Sequence, residues 1–275
     1  MLASIDWANL AAMAGALAMA GALAGVLAGL FGIGGGAVLV PVLVEFLRLQ
    51  GVSSEVLTHT AIGTSLAIIV PTSIRSFRSH LARGAPDTNL LRRWAIWVPL
   101  GVIIASLLVA DISGDVLKII FGVVIIIVAV KMLANQKDWS LSSDLPRPAV
   151  TNGVGFGIGA ISALMGIGGG NLNNMFMTSF GRPIHQAVAT SAGLGMLIAI
   201  PGVLGYMWAG WGHPALPPFS LGYVSLLAVV LIMPMSLLFA PLGVRMAHRL
   251  SKRQMEIAFG LFLIAVALRM FWTAL

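Results

Sequence analysis

From Trp7 to Val44 the chain carries not one charged side chain. A soluble domain does not leave so long a run uncharged, because its surface must stay solvated. A helix crossing a bilayer, by contrast, needs about 20 mostly apolar residues. Similar runs recur along all 275 residues, of which 59% are hydrophobic and only 9% charged. The fold class this implies is an all-α integral membrane protein. Length and hydropathy mark ten apolar segments, at 8–31, 35–49, 58–74, 90–110, 115–133, 150–167, 169–180, 187–208, 219–239 and 254–273. The second and seventh are too short to cross alone as ordinary helices.

Ten crossings put both termini on one face, and positive charge tests that arrangement. Thirteen of the 16 Lys and Arg fall on the opposite face, among them Arg75, Arg78, Arg83, Arg92, Arg93 and Lys131; Arg48, Lys118 and Arg269 share the side of the termini. Cytoplasmic loops collect Lys and Arg, so the expected orientation has both ends outside. The net charge of +7 sits between apolar runs, where it reports topology, and nucleic acid is not an expected partner. With no cysteine, disulfides and thiolate-bound metals are excluded, and neither a metal nor a cofactor is expected. Asp6 precedes the first run and no Lys or Arg stands before Arg48, so that run reads as a retained span rather than a cleaved leader.

The chain also repeats itself. "AGVLAGLFGIGGG" at 24–36 aligns with "GIGAISALMGIGGG" at 157–170, and "HTAIGTS" at 59–65 with "HQAVATS" at 185–191. Two ordered motif pairs divide the chain into repeats at 1–140 and 141–275. With five segments in each, an odd number, the second copy would lie inverted relative to the first. The full expectation is therefore two inverted five-segment repeats, each holding one short broken helix at its glycine-rich motif. Many secondary transporters are built so, with the substrate near the midplane.

Gly34, Gly35 and Gly36, and their counterparts Gly168, Gly169 and Gly170, cannot easily continue a helix, at about 1 kcal/mol each relative to alanine. They can expose backbone N–H groups, and a helix restarting after them aims its positive dipole end at the break. That geometry holds an anion without a formal charge. Bare backbone is tolerated at membrane depth only where protein or water covers it, so a cavity is expected beside the break. Asn173 and Asn174 open the short seventh segment, and Thr64, Ser65, Thr190 and Ser191 recur early in segments three and eight. Amides and hydroxyls of this kind suit a ligand oxygen. His59 and His185, at equal spacing before those hydroxyls, and Glu45 are candidates for coupling or gating; Glu45 could instead pair with the nearby Arg48. Pro71 and Pro201 interrupt segments three and eight and would kink or hinge them.

At the two glycine clusters, the paired His-x-Ala-x-x-Thr-Ser motifs and "PTSIRSFRSHLARGAPD" at 71–87, the sequence resembles the TauE/SafE family of sulfite exporters. The resemblance covers nearly the whole chain. It implies a bacterial inner-membrane permease for sulfite or a small organosulfonate such as sulfoacetate, with a small anion and membrane lipid as partners. It leaves a homodimer open. In one place the match is imperfect: the second half reads "ATSAGLG" where a more apolar continuation is expected. Two other classes compete. An intramembrane enzyme finds no HExxH, GxSxG or paired aspartates at depth. A membrane subunit of a larger complex would want a docking element, and the loops are short.

Overall fold

The computed structural model describes residues 15, 18–27, 36–82, 84–134, 142, 144–247 and 252–274. Among these lie ten helices: α1 (Ala18–Leu27), α2 (Gly36–Leu49), α3 (Ser54–Leu81), α4 (Thr88–Leu108), α5 (Gly114–Leu133), α6 (Pro148–Met165), α7 (Gly170–Ser179), α8 (Ile184–Ala209), α9 (Leu226–Ala247) and α10 (Lys252–Trp272). Six of them, α3, α4, α5, α6, α8 and α9, are long and apolar enough to cross a membrane. Their outer faces confirm the solvent. Ile96, Leu108, Leu204, Val230 and Leu238 are all exposed, an apolar surface too large for a soluble monomer. The protein is a multi-pass helical membrane protein.

Local chemistry sets the helix ends. Ser53 accepts a hydrogen bond from the Glu55 N–H, Asp87 from that of Leu90 and Ser113 from that of Val116, capping α3, α4 and α5. Pro148, which has no N–H to leave unsatisfied, opens α6. The central element is α3. Val56, Ala61, Leu66 and Ile68 are fully buried along it, and it packs against α2 and α8, while α4 lies against α6 and α8 and α5 against α10.

One set of contacts occurs twice. A Cβ on Gly25 would stand 2.4 Å from the Ser236 carbonyl oxygen in α9, and one on Gly159 2.3 Å from that of Val98 in α4. One turn earlier Gly21 meets Ile232 and Gly155 meets the Trp94 ring. Small residues let these backbones approach. Between α5 and α10, Gly122 packs on Phe271 and Gly260 on Leu133. Hydroxyls follow the same rule: Thr64 of α3 accepts from the Ser225 N–H at the start of α9, 3.0 Å, and Thr190 of α8 from the Asp87 N–H at the start of α4, 2.9 Å. Each threonine therefore satisfies a backbone donor at the start of a helix in the other half of the chain.

The structure departs from the sequence reading at one point and adds detail at two others. The ninth helix starts at Leu226, because Ser220–Leu221 (β1) and Val224–Ser225 (β2) form an antiparallel hairpin whose turn contains Gly222 at φ +52°. Glu45 is gripped chiefly by Arg269 of α10, at 2.9 and 3.0 Å, while Arg48 stands farther off at 3.7 Å. One Arg269 nitrogen, Nη2, reaches both carboxylate oxygens, and such a charge-assisted hydrogen bond outweighs an ion pair at 3.7 Å. Finally, α3 and α8 run unbroken through Pro71 and Pro201. Around Pro71, Thr72 donates to the carbonyls of Ile68 and Ile69 and Ser73 to that of Val70. Local hydroxyls thus bond carbonyls beside a proline that supplies no N–H.

Candidate functional site

The second glycine cluster is a genuine chain break. The helix α6 stops at Met165 because Gly166 turns left-handed at φ +66°, and the Ile167 N–H folds back to the Ser162 carbonyl. Gly169 is left-handed as well, at φ +69°, and α7 restarts at Gly170. Both positions therefore need glycine. The Asn173 N–H bonds back to the Gly169 carbonyl, whereas the amides of Gly170, Asn171 and Leu172 form the first turn and have no carbonyl within the helix to reach.

The break is wedged between α3 and α8. Ser65 donates to the Gly166 carbonyl at 2.8 Å. A Cβ on Gly168 would touch Ile69 at 3.4 Å and Gly195 at 3.6 Å; one on Gly169 would fall 2.5 Å from Ile198. Gly36, the first residue of α2, abuts Ile167, with 2.7 Å from its would-be Cβ to the Ile167 Cα. The start of one short helix thus touches the break that precedes the other. Gly34 and Gly35 lie outside the described residues.

Beside the break runs a directional hydrogen-bond chain. Asn173, fully buried, donates its amide to the Ala187 carbonyl at 3.1 Å and to Ser191 Oγ at 2.7 Å. Ser191 in turn donates to Asn174 Oδ1 at 2.9 Å, with the Gly170 carbonyl at 3.3 Å. Because the Asn174 oxygen is the acceptor, its amide NH₂ is the end of the chain, and that terminus is a donor. Asn173 Oδ1 is buried with no hydrogen-bond partner among the described residues. Gly169 is sealed by side chains, but Gly168, Gly170, Asn174 and Ser191 are only half-buried. The break thus brings the first-turn amides of α7 together with the side-chain amide of Asn174, donors without formal charge.

The other residues singled out in the sequence lie elsewhere. Thr64 and Thr190 are turned to the starts of α9 and α4, as described above. His185 is exposed. His59 is buried, its Nε2 donating to the carbonyls of Ile112 and Val109 at 2.9 and 3.1 Å, its ring 4.9 Å from that of Tyr223. Burial, and after it the Glu55 carboxylate, hold the Tyr223 phenol above its usual range, so it stays protonated. Glu45 and Arg269 line a cavity of about 400 Å³ between α2 and α10. No group of three or more metal-ligating side chains occurs among the described residues.

A family model described as Sulfite exporter TauE/SafE matches residues 17–270. A probable membrane transporter protein of Haemophilus influenzae is 38% identical over 245 residues, covering 88% of this chain and 92% of its own. A probable membrane transporter protein of Methanocaldococcus jannaschii is 29% identical, covering 83% and 84%, and one of Bacillus subtilis is 26% identical, covering 66% and 73%. No solved structure matches the chain.

Proposed function

Because the chain belongs to the sulfite exporter TauE/SafE family, we propose that this membrane transporter carries small oxyanions, sulfite or an organosulfonate such as sulfoacetate, outward across the bacterial inner membrane. The observation that carries the reading is the break at residues 166–169 with the donor-terminated chain of Asn173, Ser191 and Asn174 beside it. Helix amides and a side-chain amide stabilise an oxyanion by hydrogen bonds and dipole alone. An arginine there would bind harder and release less readily, and transport needs release.

The repeated contacts support a five-plus-five inverted repeat. Gly25 with Ser236 and Gly159 with Val98, and Thr64 with Ser225 and Thr190 with Asp87, are each a pair that a two-fold operation within the membrane would exchange. Alternating access then follows as rocking of one half against the other about the break. In the conformation described, Ile69 and Ile198 pack the glycines, as an occluded state requires. Both termini lie outside, and an inside-negative potential of 100 mV drives a monoanion out by about 2.3 kcal/mol. No coupled ion is needed.

The test is flux. Purified protein in liposomes loaded with sulfite is expected to release it faster than protein-free liposomes loaded alike, at a rate that rises with an inside-negative potential. Absence of flux for sulfite, sulfoacetate, thiosulfate and sulfate alike would overturn the reading. Flux that appears only after a second protein is added would make the chain a subunit instead.

A further inference from the structure

The two Thr-Ser pairs divide their contacts in the same way. Ser65 donates to the Gly166 carbonyl at the break, and Ser191 to Asn174 and, at 3.3 Å, to the Gly170 carbonyl. The threonine beside each serine holds a different segment. Thr64 Oγ1 accepts from the Ser225 N–H at 3.0 Å, and Thr190 Oγ1 from the Asp87 N–H at 2.9 Å. Both donors belong to the residue that caps a helix. Ser225 Oγ accepts from the Ala228 N–H at the start of α9, as the Asp87 carboxylate does from that of Leu90 at the start of α4. Both threonines are fully buried, so water does not compete for either bond.

Each capped segment closes the seam between α3 and α8, the two helices that clasp the break. On one side Tyr223 of the hairpin, buried, packs on Gly63 of α3 and Gly210 of α8. On the other, Leu91 of α4 and Phe77 of α3 meet over Gly193 of α8, 2.6 and 2.8 Å from where its Cβ would stand. Ser65, Ile69, Ser73 and Phe77, each one turn further along α3, meet Gly166, Gly168, Gly195 and Gly193 in that order. The seam is therefore stopped on both sides of the break, and one threonine hydroxyl holds each stop. We infer that Thr64 and Thr190 are the latches of two gates, an outer one at the hairpin and an inner one at the start of α4, that open in alternation. This rests on the alternating access and orientation proposed above, but not on the identity of the anion. Latch and break contact are adjacent residues of one helix, so a displacement at the break reaches the latch through a single rigid element.

The chain has no cysteine, so one introduced thiol can report on access. Ile69→Cys places it against Gly168, where the wild-type side chain is buried. A membrane-impermeant maleimide reads access from outside in spheroplasts and from inside in inverted membrane vesicles. In this background Thr64→Val keeps the shape and deletes the acceptor. It is expected to raise outside labelling on the order of tenfold, the effect of one hydrogen bond lost from a closed gate, and to leave inside labelling unchanged. Thr190→Val should do the reverse. Thr64→Ser and Thr190→Ser keep the acceptor and should label like the background; alanine stands in wherever valine prevents folding. Labelling unchanged in both acceptor-free variants would overturn the latches. So would a rise from both sides in either one, which marks general loosening. One-sided labelling in protein that moves none of the anions tested would support the gates and overturn the anion reading alone.

Discussion

Alanine at Gly159 is expected to destabilise the protein by about 1–3 kcal/mol, and alanine at Gly25 to do so comparably. Each new methyl would meet a backbone carbonyl, Val98 in one case and Ser236 in the other, at 2.3 and 2.4 Å. Backbone cannot step aside as a side chain can, so helices α4 and α6, or α1 and α9, must separate. Separation forfeits the close packing that holds helices together in lipid, where no hydrophobic effect replaces it. The internal control is Gly153→Ala. That glycine also lies in α6, yet a Cβ there would have nothing within 4 Å; the substitution should be neutral or stabilising by up to about 1 kcal/mol. Thermal unfolding in detergent, followed by loss of monodisperse protein, separates the three variants. Equal melting of Gly159→Ala and Gly153→Ala would refute the close-approach account.

Aspartate at Asn174 is expected to abolish sulfite flux while the protein still folds. The side chain is half-buried, so an ionised carboxylate there keeps access to water. It retains the acceptor that Ser191 now donates to at 2.9 Å but exchanges the terminal NH₂ donor for a second negative oxygen. An incoming anion would then meet repulsion where it now meets a donor. Alanine at the same position removes the donor without adding charge and should slow flux by roughly tenfold, the cost of one hydrogen bond to a charged group. Proteoliposome efflux reads both variants, and size-exclusion profiles confirm their folding. Undiminished flux in Asn174→Asp would remove this residue from the anion's path.

Much of this architecture was legible in the residues. Segments at 35–49 and 169–180 were too short to span, and the structure has α2 and α7 there at 14 and 10 residues. The doubled glycine motif marked a break, and at 166–169 the left-handed Gly166 and Gly169 supply it. Asn173, Asn174 and Ser191 stood out as polar groups in the seventh and eighth segments, and the packing of α7 on α8 brings them together. The roles of Thr64 and Thr190 did not. Their recurrence was visible, but their partners, Ser225 and Asp87, are remote in sequence, and no local pattern reports such a pair. The same holds for Arg269 with Glu45, where Arg48 was the nearer candidate. The hairpin before α9 was hidden because its strands, Ser220–Leu221 and Val224–Ser225, are only two residues each. So short a piece carries no alternation to read, and the apolar run swallowed it.

The central claim is that backbone amides at the restart of α7, together with Asn174, hold the transported anion. Selenite has the shape and charge of sulfite and scatters anomalously at the selenium edge. A crystal of the sulfur-methionine protein soaked with selenite should give one strong anomalous peak within hydrogen-bond reach of the Gly170 and Asn171 amides and the Asn174 side chain. A peak seated instead between Arg48 and Arg269, with none at the break, would contradict the account.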